Sequence, residues 1–257
     1  MPKNNKRTFK IAKLKTPKVE VDDRNGWYRH EITKLLSGTE NVGAELGVAK
    51  GIFSKRMIES GKFTKFYGVD LYEDIHNTDE YISTLKFLDH KNPIYSLLRM
   101  DFDSALKLFD DNFFDFVYVD GFAHTGEEGG KTLIDWLAKV KVGGFLAGDD
   151  YDSNWPLVVW AVNHLASELG VRVGVTSRKE DTDYCKYPSW WIQKPARYVE
   201  PALDPTLLKL GMYEKNRINK KRLASRKRKY FKKRLANRMA PILGAFGINI
   251  NSDAFKK

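Results

Sequence analysis

The stretch FDFVYVDGFAHTGEEGG, residues 114–130, decides the fold. Five of its first six residues are apolar, the composition of a strand covered on both faces. The run stops at Asp120 and Gly121, and a loop with His124 follows. A carboxylate on the tip of a buried strand marks the edge at which open α/β sheets bind ligands. The same pattern recurs along the chain. Strands are expected at 41–46, 65–70, 95–100, 115–120, 144–148, 172–176 and 189–193. Helical spacing fills most of the gaps, at 52–60, 80–89, 104–109, 131–139 and 155–169, with a short helix at 27–36 leading in. This alternation implies an α/β domain with a mostly parallel, seven-stranded sheet and helices on both faces.

Totals bound the rest. The 257 residues suffice for a real core, and 42% hydrophobic with 13% aromatic residues excludes a disordered chain. A single cysteine, Cys185, excludes an internal disulfide framework and points to a reducing, intracellular compartment. Apolar runs are too short to span a bilayer, and the basic start lacks the apolar segment of a secretory signal. The net charge of +11 is uneven. Residues 201–257 hold 16 Lys and Arg against three acids, and residues 1–18 hold seven bases and no acid. The body between them is acidic. Three segments are therefore expected: a flexible basic arm (1–20), a domain (21–200) and a basic helical extension (201–257).

The strand ends carry the chemistry. After the first strand stand Glu45, Gly47 and Gly51, a glycine turn leading into a helix. Its E-x-G-x-x-x-G spacing is neither the dinucleotide fingerprint nor a phosphate-binding P-loop. The next strands end in Asp70, Asp101, Asp120 and the pair Asp149-Asp150. One such aspartate is usually a helix cap; a full series is not explained that way.

GAELGVAKG, FYGVD, LLRMDF, DFVYVDGFAH and KVGGFLAGDDY, in this order, resemble the class I S-adenosylmethionine-dependent methyltransferases. Within them the set is most similar to the metal-dependent sugar O-methyltransferases of the macrocin type. The resemblance implies the Rossmann-like methyltransferase fold and S-adenosylmethionine as cofactor. It places Glu45, Gly47 and Gly51 at the methionine and ribose part, Asp70 at the ribose diol, and Asp101 with Phe102 at the adenine. It makes Asp120, Asp149 and Asp150 ligands of Mg²⁺ or a similar divalent cation, which would bind two acceptor hydroxyls. Carboxylates crowded at one cleft call for a cation, and hard ions suit them. The acceptor implied is a saccharide or glycoside; an RNA or another small hydroxylated molecule is the alternative. DGFAH is not the [DNS]-P-P-[YFW] loop of N-methylating enzymes. His124 is the candidate base, with Asp120 as fallback; in relatives the histidine stands three residues after the aspartate, here four.

Tyr72, Glu73, Asp74, His76 and Tyr81 form a candidate lid or acceptor segment, and Tyr151, Asp152 and Trp155 follow the acidic pair. Trp190 and Trp191 read as core. Residues 215–238 hold 13 Lys and Arg and no acid, with Leu223, Tyr230, Phe231, Leu235 and Met239 at roughly helical spacing. Three partners fit this basic amphipathic helix: the acidic body, an anionic membrane surface giving peripheral association, or nucleic acid phosphates. A homo-oligomer is compatible with the sequence.

Overall fold

The computed structural model describes residues 6–73, 76–177 and 185–245. Asp74 and the apolar segment beyond Ala245 lie outside them. The chain divides into two compact units, residues 1–212 and 213–257.

In the first unit the elements run α1 (Lys6–Lys15), β1 (Val21–Arg24), a 3₁₀ helix (Arg29–Leu35), β2 (Asn41–Leu46), α2 (Ile52–Glu59), β3 (Phe63–Asp70), α3 (Thr78–Phe87), β4 (Tyr95–Arg99), α4 (Phe102–Leu106) and β5 (Phe114–Val119). Then follow α5 (Lys131–Lys139), β6 (Val140–Gly148), α6 (Pro156–Leu169), β7 (Val173–Thr176) and β8 (Trp190–Gln193). A last helix, α7 (Pro205–Ala245), begins in this unit and continues into the second.

The sheet has eight strands in the order β1-β7-β8-β6-β5-β2-β3-β4. All pairings are parallel except those of β8, which runs antiparallel to β6 and β7. Two cores flank it. One joins β-strand residues such as Val117, Val119 and Leu146 to Trp136 and Trp160; the other gathers Phe53, Phe63, Phe66, Phe116 and Trp191. Trp190 and Trp191 are core residues, 0% and 6% exposed.

Two expectations need correction. The sheet has eight strands rather than seven, because Val21–Arg24 pairs in register with β7 at the edge. Residues 6–15 are not a flexible arm but a helix, with Ala12 fully buried in the first core and Thr16 Oγ1 bonded to the Ala12 carbonyl at 2.7 Å. Its lysines occupy the outer positions, so charge concealed an apolar face at Ile11 and Ala12.

In the second unit the basic segment lies within the helix Pro205–Ala245 and is not amphipathic. At about 100° per residue, Lys215, Arg217, Lys221, Arg222, Lys227 and Arg234 fall on all sides of the axis. Leu223, Tyr230, Phe231 and Leu235 are interleaved with them and exposed.

Candidate active site

The strand order reverses between β2 and β5, the point at which open α/β sheets bind ligands. The turn after β2 is pinned from three sides. Gly47 N–H donates to the Val69 carbonyl at 2.8 Å, and Asp120 N–H to the Leu46 carbonyl at 2.7 Å. Gly47 has φ 94°, and a Cβ there would lie 2.0 Å from the Asp120 carbonyl oxygen. Only glycine fits this approach of two backbones. Gly51, at φ 76°, opens α2.

Asp70 organises the same turn. Its Oδ2 accepts from Ala49 N–H at 2.9 Å and its Oδ1 from Tyr72 N–H at 3.1 Å. Tyr72 OH and Thr84 Oγ1 donate to the Ala49 carbonyl at 2.7 and 2.8 Å. Each carboxylate oxygen retains a lone pair, so Asp70 can still accept from a diol. Tyr72, at φ 50° and 1% exposed, belongs to this scaffold rather than to an open lid.

Glu45 lies beneath the turn. It is 1% exposed and accepts from Ser54 Oγ, which also meets Tyr95 OH at 3.1 Å. Burial pushes its carboxyl from the ordinary 4.5 to about 8, against the pull of the Ser54 bond. The folded state therefore holds a proton that the unfolded chain has released between these two values. Stability falls as pH rises through that window, by at most about 1.4 kcal/mol per unit. Glu45→Gln is expected to flatten this slope, so that the variant's melting temperature gains on wild type between pH 5 and pH 8. Parallel curves for the two proteins would contradict the burial of a neutral Glu45.

Asp101 is the helix cap of α4: it accepts from Ser104 N–H at 2.8 Å and Ser104 Oγ at 2.9 Å. These bonds, the backbone one first, lower its pKa. Phe102 packs edge-on to Phe122 at 5.0 Å, and a Cβ on Gly121 would stand 3.2 Å from its ring. With Phe122 45% exposed, the pair forms an aromatic lip beside Asp120.

Two of the three carboxylates expected to bind a metal, Asp120 and Asp149, meet an arginine instead. Arg29 Nη2 lies 2.5 Å from Asp120 Oδ2, and Nη1 lies 3.4 Å from Asp149 Oδ2. Its guanidinium sits 4.9 Å from the ring centres of both Phe53 and Tyr118. Asp149 also accepts from Ser189 Oγ at 3.3 Å, and Ser189 Oγ meets Tyr118 OH at 2.7 Å. Burial raises the pKa of Asp149 and of Asp150; Asp149 and Asp120 add to the effect on Asp150. Among the described residues no group of three or more His, Cys, Asp or Glu is gathered to hold a metal ion. The expected Mg²⁺ ligand set of Asp120, Asp149 and Asp150 thus does not fit this geometry, because a guanidinium already bridges two of its members.

His124 lies in a 3₁₀ turn (Ala123–Thr125) with its ring edge-on to Trp155 at 4.7 Å; Trp155 in turn meets Tyr187 at 5.8 Å. A small cavity here is lined by His124, Trp155, Asn154, and Thr8 and Phe9 of α1. The structure thus groups Asp120 with Asp149 and His124 with this aromatic row.

Two features escaped the sequence reading. Arg29 carried no motif. The other is GEEGG: residues 126–130 all have left-handed φ, from 52° to 88°. Left-handed backbone costs roughly 1–2 kcal/mol at a non-glycine residue, and both Glu127 and Glu128 adopt it. The turn is wedged in place: Cβ atoms on Gly126 and Gly129 would collide with Leu157 and Leu208. Glu127 is 2% exposed, and burial, then Asp150 and Asp120, raise its pKa. Three glycines in five residues were the available signal.

Residues 43–151 match the family described as "Methyltransferase domain". Among solved structures, spermidine synthase from Thermotoga maritima superposes with TM-score 0.50 and 14% identity over 70% of this chain, which spans 64% of that protein's length. A SAM-dependent methyltransferase from Aquifex aeolicus gives TM-score 0.45 and 18% identity over 64% of this chain and 88% of that one. No curated protein matches. At 14% identity the superposition on spermidine synthase speaks for the fold alone, and the family match for the segment it covers. The match to a methyltransferase domain covers residues 43–151, less than half of the chain.

Proposed function

We propose that this chain methylates a hydroxyl of a saccharide or glycoside acceptor. One observation carries the reading: Asp120, with a third of its side chain exposed, projects from the strand end whose backbone Gly47 touches. An acid is thereby placed between the cofactor turn and solvent. S-adenosylmethionine, when bound, supplies a methyl group on a sulfonium, so the protein needs chiefly to align an acceptor and take its proton. Asp70 and the Gly47 turn orient the cofactor. Phe102 and Phe122 supply an apolar face for its adenine, in keeping with the motif resemblance. Asp120 accepts the proton as the acceptor oxygen bonds to the methyl carbon and the carbon–sulfur electron pair stays on sulfur. His124 is the second candidate for that proton. The row His124, Trp155 and Tyr187 offers aromatic faces on which a sugar ring can stack. No step is routed through Mg²⁺.

The second unit supports a polyanionic partner. Bases on every side of a helix suit phosphates approaching from several directions, whereas a membrane surface calls for one apolar face. No helix among the described residues is long and apolar enough to cross a membrane. An intracellular setting, suggested by the lone cysteine, completes the reading.

The test is transfer of labelled methyl from S-adenosylmethionine to a panel of sugars, glycosides and RNA. Label on a sugar, lowered about 100-fold or more by Asp120→Asn, is the expected result. Label on RNA alone would replace the acceptor.

A further inference from the structure

Arg29 reaches the strand ends from a helix 91 residues before Asp120. It is 3% exposed, bridges Asp120 and Asp149 at 2.5 and 3.4 Å, and lies against the neighbouring rings of Phe53 and Tyr118, 4.9 Å from each ring centre. A divalent ion would need those same carboxylate oxygens at about 2.0–2.6 Å, and two cations on one carboxylate pair repel. A guanidinium suits this position: it is planar, weakly hydrated, forked toward two acceptors and content beside aromatic rings.

We propose that Arg29 is a built-in substitute for the divalent cation, a positioning residue that fixes Asp120 and Asp149 and makes the site metal-independent. It rests on the methyltransferase reading only for the use to which Asp120 is put. Arg29 does not face the acceptor; it acts through the carboxylate it holds. Its position is secured by the aromatic contacts, which a hydrated metal ion would not use. The charge that the strand-end acids demand is thus supplied by the chain itself, from a segment outside residues 43–151.

The experiment is titration of the full-length protein with Mn²⁺, followed by the spin-resonance signal of the free ion, for wild type, Asp149→Asn and Arg29→Ala. Wild type is expected to show no Mn²⁺ site that Asp149→Asn removes. Arg29→Ala, with its carboxylates released, is expected to bind Mn²⁺ at least tenfold more tightly than wild type and to melt at a higher temperature when Mn²⁺ is present. Should Arg29→Ala fail to fold, Arg29→Gln keeps two hydrogen-bonding groups without the charge and is read the same way. A one-to-one Mn²⁺ site in wild type that is lost in Asp149→Asn would overturn the proposal. So would a folded Arg29 variant with no gain in Mn²⁺ affinity. S-adenosylhomocysteine titrated into the same samples separates this outcome from failure of the methyltransferase reading, since Mn²⁺ binding is measured without turnover.

Discussion

Gly47→Ala is expected to abolish cofactor binding and to destabilise the protein by about 3 kcal/mol or more. Two effects add. The residue's φ of 94° is strained for any side chain, and the new methyl would stand 2.0 Å from the Asp120 carbonyl. The strand tip cannot retreat, because Asp120 N–H is itself bonded to the Leu46 carbonyl at 2.7 Å. The substitution therefore forces β2 and β5 apart at the point where the strand order reverses. Urea unfolding measures the stability loss, and titration with S-adenosylhomocysteine the binding loss. Wild-type values in both would mean that the two strand ends do not approach as described.

Arg29→Ala carries the second large effect, a loss of about 3–5 kcal/mol at neutral pH. The magnitude comes from what is left behind: Asp149, 12% exposed, and Asp120 facing each other without a countercharge. The direction with pH follows. Burial already raises Asp149, and the Arg29 charge opposes that rise. Removing the charge lifts the folded-state pKa further above the unfolded value, so the folded form takes up protons that the unfolded form has released. Stability of the variant then falls as pH rises through this range. The gap to wild type is expected to narrow at pH 5 and widen at pH 8. Melting curves at both values check it; a gap independent of pH would remove the ion pair from the explanation.

The central strands were legible because β5 and the second half of β6 are buried on both faces and read as apolar runs. β1 was not: VDDR is a four-residue edge strand with both faces largely exposed, so no pattern marks it. Helix α1 was hidden by its lysines, and α4 begins at Phe102 rather than two residues later because Asp101 is its cap. The strand-end acids were visible individually, but their division of labour was not. Asp101 caps a helix, Glu45 is buried on Ser54, and Asp120 pairs with Arg29 while a third of its side chain stays exposed. What distinguished them was a cation brought from a distant segment, and no local spacing encodes that contact. The GEEGG turn was readable as a break, but not as a left-handed turn, because its shape depends on α6 and the start of α7 closing around it.

The most direct measurement is calorimetric titration of the folded protein with S-adenosylhomocysteine, beside Asp70→Ala. Micromolar binding by wild type, weakened at least tenfold in the variant, is the result expected of a site at the β2–β5 switch point that seats the cofactor on Asp70. A folded wild-type protein that shows no binding would contradict it.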